Sequence, residues 1–178
     1  YVGGNEDDYD VVKTTGGNPG YTIEATDGSL HAFRRLWEVA SNGFDTDEAY
    51  YRVQGLNNDG TRNPAYERLV DVNNLIDYMI CVFYVGDFDA PVSGFIGNRV
   101  PNNFYCILNR KHPDGFKYFR HDAEHSLMPS DSRNYDRTGP YPAGEQFQHF
   151  NPQWLHQQLV IHPEYRMKFA DRVHKHFF

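Results

Sequence analysis

Two acids and two histidines crowd into residues 121–125, His-Asp-Ala-Glu-His, directly after an alternating aromatic stretch that is typical of a β-strand. Asp122 and Glu124 are two positions apart, so both carboxylates face the same side if the segment is extended. Hard oxygen ligands at the end of a strand suit a magnesium ion that is bound to phosphates. The segment is therefore a candidate site for a divalent cation that accompanies a nucleotide.

The histidines of this segment allow a different interpretation. His121 and His125 are four positions apart, a spacing that places two imidazoles on one face of a helix, as in zinc enzymes. The HExxH motif requires Glu directly after its first His, and this chain has Asp122 there. The mismatch disfavours a histidine–zinc hydrolase, which remains an alternative.

A second acidic group and a pair of amides precede this segment. Asp87 and Asp89 follow a strongly apolar helical stretch, and Asn102-Asn103 stand just before a predicted strand. An acid in a loop, an Asn, a hairpin and an acid at the strand end follow one another in a kinase catalytic lobe. A single loop acid more often caps or solvates its loop, so the interpretation depends on the order of the whole set.

Hydrophobic periodicity predicts the elements that must position these residues. Strands are expected at 10–13, 21–25, 104–108 and 116–120, and helices at 29–40, 47–54 and 72–85, from 63–64, from 151–152 and from 163. Asp71 is the expected N-cap of the central helix and Gly86 its end. The pattern predicts one α+β domain over 1–178: a mainly helical body, a short β-hairpin that presents the metal-site acids, and a polar loop over 130–144.

Composition restricts the partners and the surroundings of the chain. Asp and Glu number 24 against 17 Lys and Arg, a formal charge of −7 that argues against a nucleic-acid partner. No apolar run approaches the 18 residues of a membrane span. Cys81 and Cys106 lie in apolar segments, which predicts two buried thiols.

Five stretches, taken in order, resemble the CotH kinase family, the spore-coat-protein-H-like atypical protein kinases. They are YVGGNEDDYDVVK, DVNNLIDYMICVFYVGDFDAP, NNFYCILNR, GFKYFRHDAEHSL and the C-terminal NPQWLHQQL with YRMKFADRVHKHFF. The resemblance covers almost the whole chain but only the later part of the family's domain. It implies a kinase C-lobe-like body without the upstream lobe that grips the nucleotide.

The resemblance also implies an activity, which is ATP-dependent phosphoryl transfer to Ser or Thr of a protein substrate with Mg²⁺ or Mn²⁺. Asp89 matches the catalytic Asp of the family, and Asp87 is its near rival. Asn103, or else Asn102, matches the Asn that binds the cofactor.

The cation would be held at the end of the hairpin. Asp122 matches the metal-binding Asp of the family, Glu124 stands where many members have a second Asp, and Asn103 completes the set. Family members are often exported, which implies an extracellular location or one on the cell or spore surface.

Two departures from the family pattern bear on activity. The stretch APVSGFIGNRVP separates Asp89 from Asn102, and the nucleotide-gripping Lys lies in the upstream lobe, which Lys13 does not replace. Phosphoryl transfer by these 178 residues alone is therefore expected to be reduced or undetectable. The alternative function is a non-catalytic surface or spore-coat-type module with a kinase-like fold.

Overall fold

The computed structural model describes residues 3–16, 20–127 and 135–178, which form a four-stranded antiparallel sheet and five α-helices. The strands are β1 (Tyr9–Thr14), β2 (Ile23–Asp27), β3 (Phe104–Asn109) and β4 (Lys117–Arg120). The helices are α1 (His31–Ser41), α2 (Asp47–Arg52), α3 (Val72–Val85), α4 (Pro152–Leu159) and α5 (Pro163–Phe177). The predicted α+β class is confirmed. The predicted loop over 130–144 lies outside the described residues up to 134, and residues 135–144 contain no helix or strand.

The hairpin of β3 and β4 is part of a larger sheet with the strand order β2-β1-β3-β4. Both predicted strands of the hairpin are confirmed to within about one residue. The predicted hairpin within a mainly helical body is one half of this sheet, because β1 pairs with β3 along Tyr9 to Lys13. An isolated two-stranded hairpin is marginally stable, and the two N-terminal strands give this one a wider buried face.

Alternation in β3 shows which face of the sheet is buried. Phe104, Cys106 and Leu108 are buried, whereas the side chains between them are half-exposed. Cys106 lies opposite Val12 of β1 and Tyr118 of β4, both of which are also buried. This face packs on the helices, and the resulting core is continuous with the buried side of α3.

Helix α3 is central and has the predicted ends. The Asp71 side chain accepts a hydrogen bond from the Asn74 amide at 3.1 Å, and Gly86 ends the helix in the left-handed region with φ 55°. The amide of Tyr118 donates to Asn74 Oδ1 at 2.6 Å, which fixes α3 against β4. The C-terminal end of α3 and the end of β4 thereby lie on the same side of the molecule, where Asp87 bonds to Arg120.

Two expectations failed for local reasons. Asn63-Pro64 does not begin a helix, because the Asn63 side chain accepts from the Ala65 amide at 2.9 Å and closes a turn. Cys81 is an exposed free thiol, since it lies off the buried stripe of α3, whereas Cys106 is a free thiol and buried as predicted.

The C-terminal helices begin at their prolines, as predicted. Asn151 caps α4 by accepting a hydrogen bond from the Trp154 amide at 3.0 Å. On α5, Tyr165 is fully buried, and Phe169 and Val173 pack against the core as expected. None of the helices in residues 3–16, 20–127 and 135–178 is long and apolar enough to cross a membrane.

His156 joins α4 to α5 inside the core. Its Nδ1 lies 2.7 Å from the Tyr165 hydroxyl, and the rings of Phe83 and Phe169 pack on it. Burial raises the pKa of Tyr165, so the hydroxyl remains protonated and can donate to the imidazole. Burial lowers the pKa of His156 from its usual 6.5 to about 4.

This shift predicts a loss of stability in mild acid. Between about pH 4 and 6.5 the unfolded chain binds a proton that folded His156 does not, so stability falls as the pH decreases through this window. The difference amounts to about 3 kcal/mol between pH 7 and pH 4. Urea unfolding of the wild type and of His156→Gln at both pH values measures it. Carboxylates titrate in both proteins, so an equal loss in both would contradict the assignment to His156.

Candidate functional site

The carboxylate of Asp89 is held by three side chains. Asn102 Nδ2 donates to Asp89 Oδ2 at 2.9 Å, Asn103 Nδ2 donates to the same oxygen at 3.2 Å, and the Ser93 hydroxyl donates to Oδ1. Side-chain donors on both oxygens fix the orientation of the carboxylate. The structure thus brings Asp89 together with both predicted amides.

Asp122 enters the same cluster through its main chain. Asn103 Nδ2 lies 3.5 Å from the carbonyl oxygen of Asp122, while the side chain of Asp122 is exposed. Both residues adopt left-handed backbone conformations, with φ 49° for Asn103 and φ 51° for Asp122. Asn and Asp tolerate this conformation better than most residues, yet it still costs energy. The strain coincides with the point where the start of β3 meets the end of β4.

Asp87 has a different environment from Asp89. It is fully buried and forms an ion pair with Arg120 of β4. Its Oδ1 accepts from the amide of Asp89 at 3.1 Å, and the Ser126 hydroxyl lies 3.4 Å from its Oδ2. Asp87 therefore connects the loop after α3 to the segment after β4.

Charge at Asp87 also reaches Tyr78 of α3. Burial raises the pKa of Tyr78, and the nearby Asp87 carboxylate raises it further. The phenol therefore stays neutral at physiological pH, so Asp87 and Arg120 are the charged pair at this end of α3.

The side chains of Glu124, His121 and His125 contact different neighbours and do not converge on one point. Glu124 is exposed, with its Oε1 3.5 Å from His125 Nε2. The ring of His121 packs edge-on against Tyr105 and that of His125 against Phe95, with centroid distances of 5.0 and 4.8 Å. Throughout the described ranges, no three His, Cys, Asp or Glu side chains form a group that could hold a metal ion.

The predicted cation ligands are oxygen donors of two acids and one amide. Asp122 and Glu124 are both exposed, and the Asn103 amide lies beside the Asp122 main chain. Oxygen donors of this kind suit Mg²⁺ or Mn²⁺ better than zinc.

The stretch between Asp89 and Asn102 is a closed loop. The Ser93 amide donates to the Val100 carbonyl at 3.1 Å, and the Asn102 amide donates to the Pro91 carbonyl at 2.9 Å. The chain therefore returns to its starting point, and two side chains 13 positions apart in the sequence are in direct contact. The long spacing from Asp89 to Asn102 does not separate the residues in space.

Two main-chain hydrogen bonds join this loop to the segment after β4. The Phe88 amide donates to the His125 carbonyl at 3.1 Å, and the Leu127 amide donates to the Val85 carbonyl at 2.8 Å. Together with the pair of Asp87 and Arg120, they fix the two acidic segments relative to each other.

Arg137 is a structural residue of the site that the sequence analysis missed. The residue is 3% exposed, and its guanidinium donates to Asn98 Oδ1 at 2.8 Å, to the Ala90 carbonyl at 3.0 Å and to the Val92 carbonyl at 2.9 Å. Within the described ranges no ion pair joins Arg137 to a carboxylate. It lies 39 to 47 positions from its acceptors, and no local pattern in the sequence indicates the contact.

Ser93 was missed for a related reason. A single Ser within a long loop gives no signal in the sequence, and its role appears only when the loop closes onto Asp89.

Comparison with models of known protein families, with curated proteins and with solved structures found no match to this chain.

Proposed function

We propose that this chain contains the metal-binding and acceptor-orienting part of a CotH-like protein kinase, which transfers a phosphoryl group from ATP to Ser or Thr of a protein. The observation that supports this most directly is the contact of Asp89 with Asn102 and Asn103, and of Asn103 with the main chain of Asp122. These are the residues that the order of kinase parts predicts as neighbours.

Asp89 is the proposed acceptor-orienting carboxylate. It is partly exposed and held on both oxygens, so it can receive a hydrogen bond from a substrate hydroxyl in a fixed direction. Asp87 is enclosed by the protein, and we assign it a positioning role through Arg120.

Asp122, Glu124 and Asn103 are the proposed cation ligands. The Asn103 amide nitrogen is engaged by Asp89, which leaves Oδ1 as the atom of that side chain that can bind a cation. A bound Mg²⁺ or Mn²⁺ supplies neutralisation of phosphate charge. The protein contributes the orientation of the Asn103 side chain, which is bonded to Asp89 and lies beside the main chain of Asp122.

A metal-dependent stabilisation by ATP tests the proposal. At about 100 times its dissociation constant, ATP with Mg²⁺ should add roughly 2.7 kcal/mol to the free energy of unfolding. For a domain of this size, that corresponds to an increase in Tm of roughly 5 to 10 °C. Thermal unfolding with ATP, with and without Mg²⁺ or Mn²⁺, measures it, and Asp122→Asn should abolish the shift.

Asp45→Asn is the matched control for that variant. Asp45 is an exposed Asp in the segment between α1 and α2, so its replacement removes the same charge at a distance from the candidate site in the sequence. The control should keep the full shift. A shift that survives in Asp122→Asn would contradict the assignment of the cation site.

A non-catalytic surface module is the second candidate. The observation that favours it is the ion pair of Lys13, whose Nζ lies 3.4 Å from Glu24 Oε1. This lysine is paired within the sheet, so it does not stand in for the lysine that holds the nucleotide in a kinase. We expect phosphoryl transfer by the 178-residue chain to be reduced or undetectable, as measured with radiolabelled ATP and a general protein acceptor. Absence of any nucleotide shift in the wild type would favour this module, whereas full transfer activity would exclude it.

A further inference from the structure

An exposed apolar turn lies beside the candidate site. Phe95 and Ile96 belong to a 3-10 turn, Gly94–Ile96, in the loop between Asp89 and Asn102, and they are 59% and 38% exposed. The ring of Phe95 packs edge-on against Phe88 with a centroid distance of 4.8 Å. Phe88 directly precedes Asp89, so the turn is continuous with the proposed acceptor site.

Phe95 also touches the other acidic segment. Its ring lies 4.8 Å from that of His125, the residue directly after Glu124. The aromatic strip of Phe88, Phe95 and His125 therefore connects the loop of Asp89 to the segment of Asp122 and Glu124.

The turn is fixed rather than loosely attached. The Gly94 amide donates to the Phe88 carbonyl at 2.8 Å, and a Cβ at Gly94 would lie 2.6 Å from that carbonyl oxygen. Ser93, directly before the turn, bonds to Asp89. A held aromatic side chain can bind a partner without a large loss of conformational entropy.

The chemistry of this strip selects one of the two substrates of a kinase. Under the proposed function the phosphate end of ATP, and not its adenine base, lies next to Asp89. Phosphates are charged and strongly hydrated, so Phe95 and Ile96 offer them no compensation for lost water. An apolar side chain of a polypeptide gains by burial against them. One residue of an extended chain spans about 3.3–3.6 Å, so a side chain one or two positions from the acceptor hydroxyl reaches a neighbouring turn.

We infer that Phe95 and Ile96 select protein acceptors that have a large apolar residue within two positions of the phosphorylated Ser or Thr. This inference rests on the proposed function, since the hydroxyl is placed at Asp89. The preferred acceptor is therefore an extended segment with an aromatic or aliphatic side chain beside its hydroxyl residue.

Two fluorescent peptides test the inference by anisotropy, in the presence of Mg²⁺ and a non-hydrolysable ATP analogue. They share one Ser and differ only in the neighbouring residue, which is Phe in one and Asn in the other. Burial of about 55 Å² of apolar surface corresponds to about tenfold tighter binding of the Phe peptide. Phe95→Ala should reduce this ratio to about one or two, and the matched Phe178→Ala, at a 93% exposed position on the end of α5, should leave it near ten.

The outcomes separate this inference from the proposed function. Equal binding of both peptides to the wild type, or a preference that survives Phe95→Ala, overturns the acceptor selection whatever the nucleotide result. A peptide preference that Phe95→Ala removes supports it. If the wild type shows that preference but no metal-dependent shift with ATP, the turn is a peptide-binding site and the kinase proposal fails.

Discussion

Replacing Arg137 with Met is expected to lower the free energy of unfolding by roughly 3 kcal/mol, because three buried acceptors lose their donor. The substitution leaves the carbonyls of Ala90 and Val92 and the amide oxygen of Asn98 without their buried donor. Each unpaired acceptor costs about 1–3 kcal/mol, partly offset because an apolar side chain is easier to bury than a guanidinium. The loop between Asp89 and Asn102 would lose three hydrogen bonds to the C-terminal part of the chain and would keep the contact of Asn98 with Tyr135.

Urea unfolding measures this effect, and the thermal shift with ATP and Mg²⁺ measures its consequence for the site. Arg99→Met is the matched control, because Arg99 is an exposed Arg in the same loop. We expect the control to change stability by less than about 0.5 kcal/mol, as surface substitutions usually do. Similar midpoints for the two variants would show that the hydrogen bonds of Arg137 contribute little.

Nucleotide binding by Arg137→Met distinguishes two roles for the residue. Arg137 is too deeply buried to touch a ligand, so it can act only through the loop that it holds. We expect ATP with Mg²⁺ to raise the Tm of Arg137→Met by less than it raises the Tm of the wild type, under conditions where the variant is folded before heating. An unchanged shift in folded Arg137→Met would mean that Asp89 keeps its position without this support.

Replacing Gly115 with Ala is expected to destabilise the protein by roughly 4 kcal/mol or more, an exceptional value for one methyl group. Gly115 has φ 91°, and a Cβ there would lie 2.3 Å from the Val70 carbonyl carbon and 2.4 Å from the Asp71 nitrogen. Both neighbours are backbone atoms at the start of α3, so they cannot move without displacing the helix cap. The clash would separate the hairpin from α3, which together position the two acidic segments.

Gly60→Ala isolates the clash from the cost of the backbone conformation. Gly60 has φ 81°, and no heavy atom outside its chain neighbours lies within 4 Å of a Cβ built there. This control should therefore show only the left-handed penalty of about 1–2 kcal/mol. Denaturant midpoints at an unchanged m-value give the comparison, and equal losses at both glycines would refute close packing at Gly115.

Local signals in the sequence determined most of the elements. The α3 helix was predicted with its cap at Asp71 and its end at Gly86, because a carboxylate and a left-handed glycine act within one turn. Alternation predicted β3 and β4, because buried side chains recur at every second residue of a strand that has one buried face. The Asn63-Pro64 turn was mistaken for a helix start because both begin with the same side-chain cap.

Tertiary structure alone decided how the elements combine. Pairing of β1 with β3 joins residues about 95 positions apart, and no local pattern specifies a partner strand at that distance. For the same reason the sequence predicted the two N-terminal strands and the hairpin but not their pairing into one sheet.

The candidate site divides along the same line. Residue type and order were enough to single out Asp89, Asn102, Asn103 and Asp122, because carboxylates and amides at loop and strand ends are recognisable in a sequence. Their contact, the burial of Asp87 against Arg120 and the support from Arg137 depend on how distant segments pack. The sequence determined which carboxylates and amides are candidates for the site. Only the tertiary structure decided which of them meet, because contacts between distant side chains follow from packing rather than from local preference.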